Sequence, residues 1–167
     1  MLDHWHEFYT LLGTAAAALL ALLFVAASIG AGILPRERSG PTRTYMSPVA
    51  FHYTAVLFVS AAALVPALTP LALGAVLACA AIAGLVYSAF VIMRLMRDGI
   101  ADLADRLAYG AAPLLSYAAI FAAAVLFSIG ADEAAYLLAS GAMLLLIINV
   151  RNAWDLLLAM ARQRRQP

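Results

Sequence analysis

The chain has 167 residues, of which 66% are hydrophobic and 11% charged, with a net charge of +1 and a single cysteine. A soluble domain carries about a quarter charged residues, so the apolar excess has to be covered by lipid, and the length leaves no room for a second, soluble domain. One cysteine, Cys79, excludes an intrachain disulfide and a cysteine-based metal site.

The N-terminus, Met1-Leu2-Asp3-His4-Trp5-His6-Glu7, is acidic and has no basic stretch. The apolar run behind it, about Phe8 to Leu34, therefore reads as a first span rather than a secretory signal, and ~20 residues suffice to cross the hydrocarbon core. Pro35 ends it, and an arginine-bearing loop, Arg36 to Arg43, follows. Ser47-Pro48 supplies an N-cap and a proline for a first helical turn, which opens a second span to about Leu68. Thr69-Pro70 repeats that chemistry and opens a third, to about Met96. The uncharged link between them, Pro66 to Pro70, is short enough to force an antiparallel hairpin.

Residues 94–106 read as an amphipathic connector on the arginine-rich side. Met96, Ile100, Leu103 and Leu107 recur at helical spacing, with Gly99 as an interruption. A fourth span runs from about Leu107 to Ile129. Pro113 lies near its start and should leave the carbonyl of Tyr109 without a donor, kinking or delaying the helix. Gly130-Ala131-Asp132-Glu133 is a tight acidic turn, and a fifth span runs from about Ala134 to Met160.

The expected fold is all-α: a polytopic transmembrane helical bundle forming one domain, with spans near 8–34, 48–68, 70–96, 107–129 and 134–160. Four spans remain if the first run only lies on the surface. Arg36, Arg38, Arg43, Arg94, Arg97, Arg106, Arg162, Arg164 and Arg165 fall on one side, with Arg151 at an adjoining helix end. Asp3, Glu7, Asp132 and Glu133 fall on the other, with no Arg. The positive-inside rule then places the N-terminus outside and the C-terminus inside. Small residues at four-residue spacing mark candidate packing faces: Gly13 and Ala17, Ala26 and Gly30, Gly74 and Ala78, Gly84 and Ser88. Five short spans make a thin bundle, so a homo-oligomer is expected.

All ten basic residues are Arg, and the chain is rich in Ala; both fit a GC-rich bacterial genome. The run Gly13-Thr14-Ala15-Ala16-Ala17-Ala18-Leu19-Leu20-Ala21-Leu22-Leu23-Phe24-Val25-Ala26-Ala27-Ser28 resembles the first helix of small, uncharacterised bacterial multi-span inner-membrane proteins. The resemblance covers that helix and the general layout. It implies an integral protein of the bacterial inner membrane and carries no catalytic or binding residue across.

Candidate chemistry gathers where the helices meet the inner boundary. Asn149, Arg151, Asn152 and Asp155 lie on the last span, with Arg151 and Asp155 spaced for an i,i+4 ion pair. His52 and Tyr53 near the start of span two, and Tyr87 and Arg94 near the end of span three, should reach a similar depth. Ionisable and strongly polar groups in a membrane face the bundle or water and are functional candidates. One reading is a cytoplasm-facing polar pocket for an anionic headgroup, a small solute or a partner helix. The other is a structural clamp, in which Arg151 snorkels beside Asp155 and the asparagines tie helices together.

No phosphate loop, zinc-protease motif or nucleophile elbow is present. His4 and His6 lack a third zinc ligand at a defined spacing, and His52 lies at the opposite side of the membrane from them, so no metal or haem is expected. The short Arg tail is explained by topology and anionic lipid rather than nucleic acid. The expectation is a non-enzymatic membrane protein that acts by binding, as a scaffold, regulatory subunit or lipid-responsive modulator. An oligomeric channel or small-solute carrier is the alternative.

Overall fold

The computed structural model describes residues 2–31, 39–98 and 103–163, and the regular structure among them is entirely helical. A 3-10 turn, Asp3–Trp5, leads into α1 (His6–Ala31). Helix α2 spans Ser39–Leu64, α3 Pro70–Asp98 and α4 Leu103–Arg106. A π-helical turn, Leu107–Ala111, joins α4 to α5 (Ala112–Ser128), and α6 spans Ala134–Gln163. Arg36, Arg38, the four residues 99–102 with Ile100 and Asp102 among them, and Arg164 and Arg165 lie outside the described residues.

Four stretches are each long and apolar enough to cross a membrane: His6–Ile29, Pro70–Arg97, Leu107–Ser128 and Ala134–Leu158. These are the dimensions of a membrane protein. The second expected span differs. Helix α2 begins at Ser39, well before Ser47, and Pro48 lies inside it. The earlier Ser39-Gly40-Pro41 places a proline in the first helical turn, where its missing N–H costs nothing. The apolar part of α2, Pro48–Leu64, is ~25 Å long at 1.5 Å per residue, a little short of a ~30 Å hydrocarbon core.

Local chemistry sets the ends. The N–H of Ala72 donates to Thr69 Oγ1 at 3.2 Å, so Thr69 caps α3 with Pro70 as its first residue. Pro66-Ala67 carries the chain from α2 to α3, with Ala67 at φ 61°, the position of a turn that glycine more often fills. Helix α5 ends in paired bonds, Ala131 N–H to Leu126 O and Gly130 N–H to Phe127 O, with Gly130 at φ 75°. This is the Schellman arrangement, and it lets a short acidic turn return the chain into α6.

The helices run alternately up and down. Tyr9 near the start of α1 donates to the carbonyl of Ala135 at the start of α6 (3.4 Å). Its neighbour Trp5 packs edge-on against Tyr136, ring centroids 5.0 Å apart. Exposed Glu7, Asp132 and Glu133 share that end. Exposed Arg94, Arg97, Arg106 and Arg151 occupy the opposite one.

Helix α3 packs chiefly on α5, α5 on α6 and α1 on α2, while α2 also touches α3 and α6. Close approach comes from small residues. A Cβ on Gly74 would lie 2.6 Å from the carbonyl of Ala124, one on Gly13 would lie 3.1 Å from Ser60 Cβ, and one on Gly141 3.0 Å from the carbonyl of Ser116. Gly74 and Gly84 are thus true contacts of α3 with α5. Gly13 also packs, but its buried companion is Ala16, three residues on, while Ala17 is exposed.

Candidate functional site

The stripe Leu138, Ala142, Leu145, Asn149, Asn152, Leu156 is buried along α6. Its spacing alternates four and three, the seam of a helix packed at a shallow angle. Asn149 and Asn152 occupy seam positions and point into the bundle. Arg151 and Asp155 do not; they pair at 3.4 Å with side chains 44% and 40% exposed. The four polar residues of this helix end therefore divide into two faces.

Each asparagine holds a backbone carbonyl on another helix. Asn149 Nδ2 donates to Val49 O of α2 at 2.8 Å, and Asn152 Nδ2 donates to Ala108 O at 2.9 Å. The second bond has a cause in the sequence. In a π turn each N–H reaches the carbonyl five residues back, and Ala112 does so, donating to Leu107 O. The next donor in that register would be residue 113, which is Pro and has no N–H. Pro113 thus leaves the carbonyl of Ala108 without that donor, and the Asn152 amide takes its place. Tyr109 closes the contact from the other side, its hydroxyl donating to Asn152 O at 3.0 Å. Gly110, in the same turn, leaves room for Ile92 of α3, whose side chain a Cβ there would overlap.

His52 is 1% exposed. Its Nδ1 lies 2.9 Å from the hydroxyl of Tyr117 on α5. Tyr87 of α3 stacks on Phe51, centroids 4.2 Å apart, and its ring stands 6.1 Å from the imidazole. The ring of Tyr117 fits because α3 has Gly84 opposite it; a Cβ there would overlap the ring. His52 lies ~18 Å and Tyr117 ~16 Å from the acidic ends of their helices at 1.5 Å per residue. The pair therefore lies inside the bundle, His52 about one turn past Pro48 and Tyr117 about midway along Leu107–Ser128.

The remaining sequence candidates separate. Tyr53 is buried next to His52, and Arg94 is exposed at the arginine-rich end. Tyr117 and Gly84, which build the His52 centre, were visible in the sequence only as one hydroxyl among several and one small residue among many. A cavity of about 510 Å³ opens at the acidic end, between Leu2, His6, the α2–α3 link and Phe127; none of the candidates reaches it.

What the arrangement can do is hold and present. The inward asparagines fix helix ends, the outward arginines face the boundary, and a histidine–tyrosine pair occupies the centre. No family model, no curated protein and no solved structure matches this chain.

Proposed function

We propose that this protein crosses a bacterial inner membrane five times, N-terminus outside and C-terminus in the cytoplasm, and acts by binding rather than catalysis. Its inner rim is the binding face and anionic lipid headgroups are its first ligand. The observation that carries this reading is the division at the arginine-rich end. Arg94, Arg97 and Arg151 stand exposed on helix ends whose neighbours Asn149 and Asn152 are pinned to α2 and to the π turn. Charges on pinned helix ends present a fixed pattern to phosphates, and each basic residue near an anionic surface contributes about 1 kcal/mol. A scaffold or modulator that recruits copies of itself or a membrane partner fits this geometry.

Native mass spectrometry of the purified protein with mixed zwitterionic and anionic lipids tests it. Retention of anionic lipid is expected, with Arg94→Gln and Arg97→Gln together lowering it more than tenfold. Equal retention of both lipid classes would remove the reading. Fusions of reporters to the C-terminus test the orientation separately.

A second reading, an oligomeric channel or small-solute carrier, draws on a different observation, the polar centre at His52 inside the bundle. Flux of ions or small solutes into liposomes separates the two.

A further inference from the structure

Most hydroxyls on these helices bond the carbonyl one turn back: Thr54 to Ala50, Ser116 to Ala112, Ser128 to Ala124 and Ser140 to Tyr136. A smaller set does not. Among the described residues, His52 Nε2, Tyr53 OH, Ser60 Oγ, Ser88 Oγ, Asn149 Oδ1 and Asn152 Oδ1 are fully buried with no partner in the protein. The asparagine oxygens are not a matter of amide assignment. Each Nδ2 faces a carbonyl, so turning the amide over would set oxygen against oxygen. Nor does the histidine tautomer matter. With Nδ1 occupied by Tyr117, Nε2 is either a donor or an acceptor without a mate.

Their placement is uneven. Tyr53 adjoins His52. Ser88 lies ~6 Å beyond Gly84 toward the arginine-rich end. Asn149 is held at Val49, three residues before His52 on the same side, and Asn152 lies at the π turn, nearer still to that end. Toward the acidic end the described interior includes Leu73, Leu77, Ala81, Ile120 and Phe127; the unpartnered atom described there is Ser60 Oγ, which packs on Gly13, while the Tyr9 hydroxyl is bonded to Ala135 O.

We propose that water enters the bundle from the arginine-rich end along Asn152, Asn149 and Ser88 and stops at His52, and that the packed arrangement is the closed form of this path. A buried acceptor or donor left unpaired is costly in a medium of low polarity. The closed form carries several of them on one side of His52, so helix separation that admits water is opposed less there than between purely apolar helix faces. Beyond His52, among the described residues, the one further unpartnered group is Ser60 Oγ, packed against Gly13, which makes the path a blind one. Against the imidazole, α5 contributes Tyr117 and α3 Tyr87, and the nearest polar group established on α6 is the neutral Asn149, held at Val49 one turn before His52. The titratable residues of α1, His6, Glu7 and Tyr9, lie at the far, acidic end. His52 is thus the terminus of the path and not a member of an ion pair. The proposal stands apart from lipid binding at the rim and requires no net flux.

The test combines two measurements. In wild-type protein in bilayers, magnetisation transfer from water to the ring nitrogens of 15N-labelled histidine is recorded, the His52 signal being identified by its loss in His52→Gln. In sealed vesicles of a Cys79→Ala background, Ser88→Cys and Ser60→Cys are exposed to a small impermeant thiol reagent from each side in turn. Transfer to His52 is expected, with Ser88→Cys reacting at least tenfold faster from the arginine-rich side and Ser60→Cys unreactive from both. Absence of transfer overturns the proposal. So does an inert Ser88→Cys, which removes the route, or a reactive Ser60→Cys, which makes the path a through-pore.

Discussion

Asn152 and His52 begin alike: each is a polar side chain on the buried face of a largely apolar helix. They end differently. Asn152 meets a carbonyl that Pro113 has left without a donor, and Tyr109 returns a hydrogen bond to it. His52 meets side chains only; each residue keeps one unpartnered atom, Oδ1 in Asn152 and Nε2 in His52, but Asn152 alone is tied to backbone. In a medium without water, a broken helix register leaves a carbonyl that a side-chain donor can satisfy, and that bond ties the side chain to the backbone. His52 is held instead by the side chain of Tyr117, which leaves its other ring nitrogen turned to the interior. The first case makes a clamp and the second a site.

The largest effect that would sharpen this contrast is steric. Gly84→Leu would drive the Tyr117 ring off α3 and should destabilise the bundle by about 3 kcal/mol; Gly84→Ala should cost about 1–3 kcal/mol, the usual range for overpacking. Reversible unfolding by steric trapping in bicelles reads both. A neutral Gly84→Ala would mean that Tyr117 is not seated against α3, and the His52 centre would lose its frame.

Next comes the clamp. Asn152→Leu strands the carbonyl of Ala108 and should cost about 1–2 kcal/mol, the upper range for a hydrogen bond between membrane helices. Pro113→Ala restores a donor in the helix itself, so the double variant should regain most of that loss in the same unfolding assay. If Pro113→Ala rescues nothing, the link between the proline and the asparagine is broken.

Part of the clamp was legible beforehand. The four-three spacing through Leu138, Ala142, Leu145 and Leu156 passes through Asn149 and Asn152 and misses Arg151 and Asp155, but in the sequence the four form one cluster, and the packing of α6 is what parts them. Pro113 announced a backbone defect, but residue spacing does not announce the π turn, which sets the carbonyl of Ala108 before the Asn152 amide. The early start of α2 was overlooked because two serine–proline signals compete there, at Ser39-Gly40-Pro41 and Ser47-Pro48. The His52 centre was the least legible. Its members come from three helices, and their meeting depends on the relative depth of those helices, which residue spacing within one helix does not contain.

A smaller effect tests the histidine side of the comparison. Tyr117→Phe removes one hydrogen bond inside the bundle and should cost about 0.6–1 kcal/mol, close to the mean for such bonds. In a His52→Leu background the same change should cost almost nothing, since the hydroxyl has already lost its partner. A double-mutant cycle with equal losses in both backgrounds would show that the hydroxyl and the imidazole do not interact.

The smallest effect belongs to the outward face. Arg151 and Asp155 form an i,i+4 pair with both side chains more than a third exposed, where water and salt screen the attraction and the long arginine side chain loses freedom on pairing. Asp155→Asn should therefore change unfolding free energy by less than about 0.5 kcal/mol, far below the loss for its buried neighbour Asn152. Its expected consequence is at the rim. It frees a guanidinium and should raise retention of anionic lipid severalfold while leaving stability untouched. If Asp155→Asn instead destabilised the protein as much as Asn152→Leu does, the two faces of α6 would not differ in kind, and the separation of clamp from binding rim would fail.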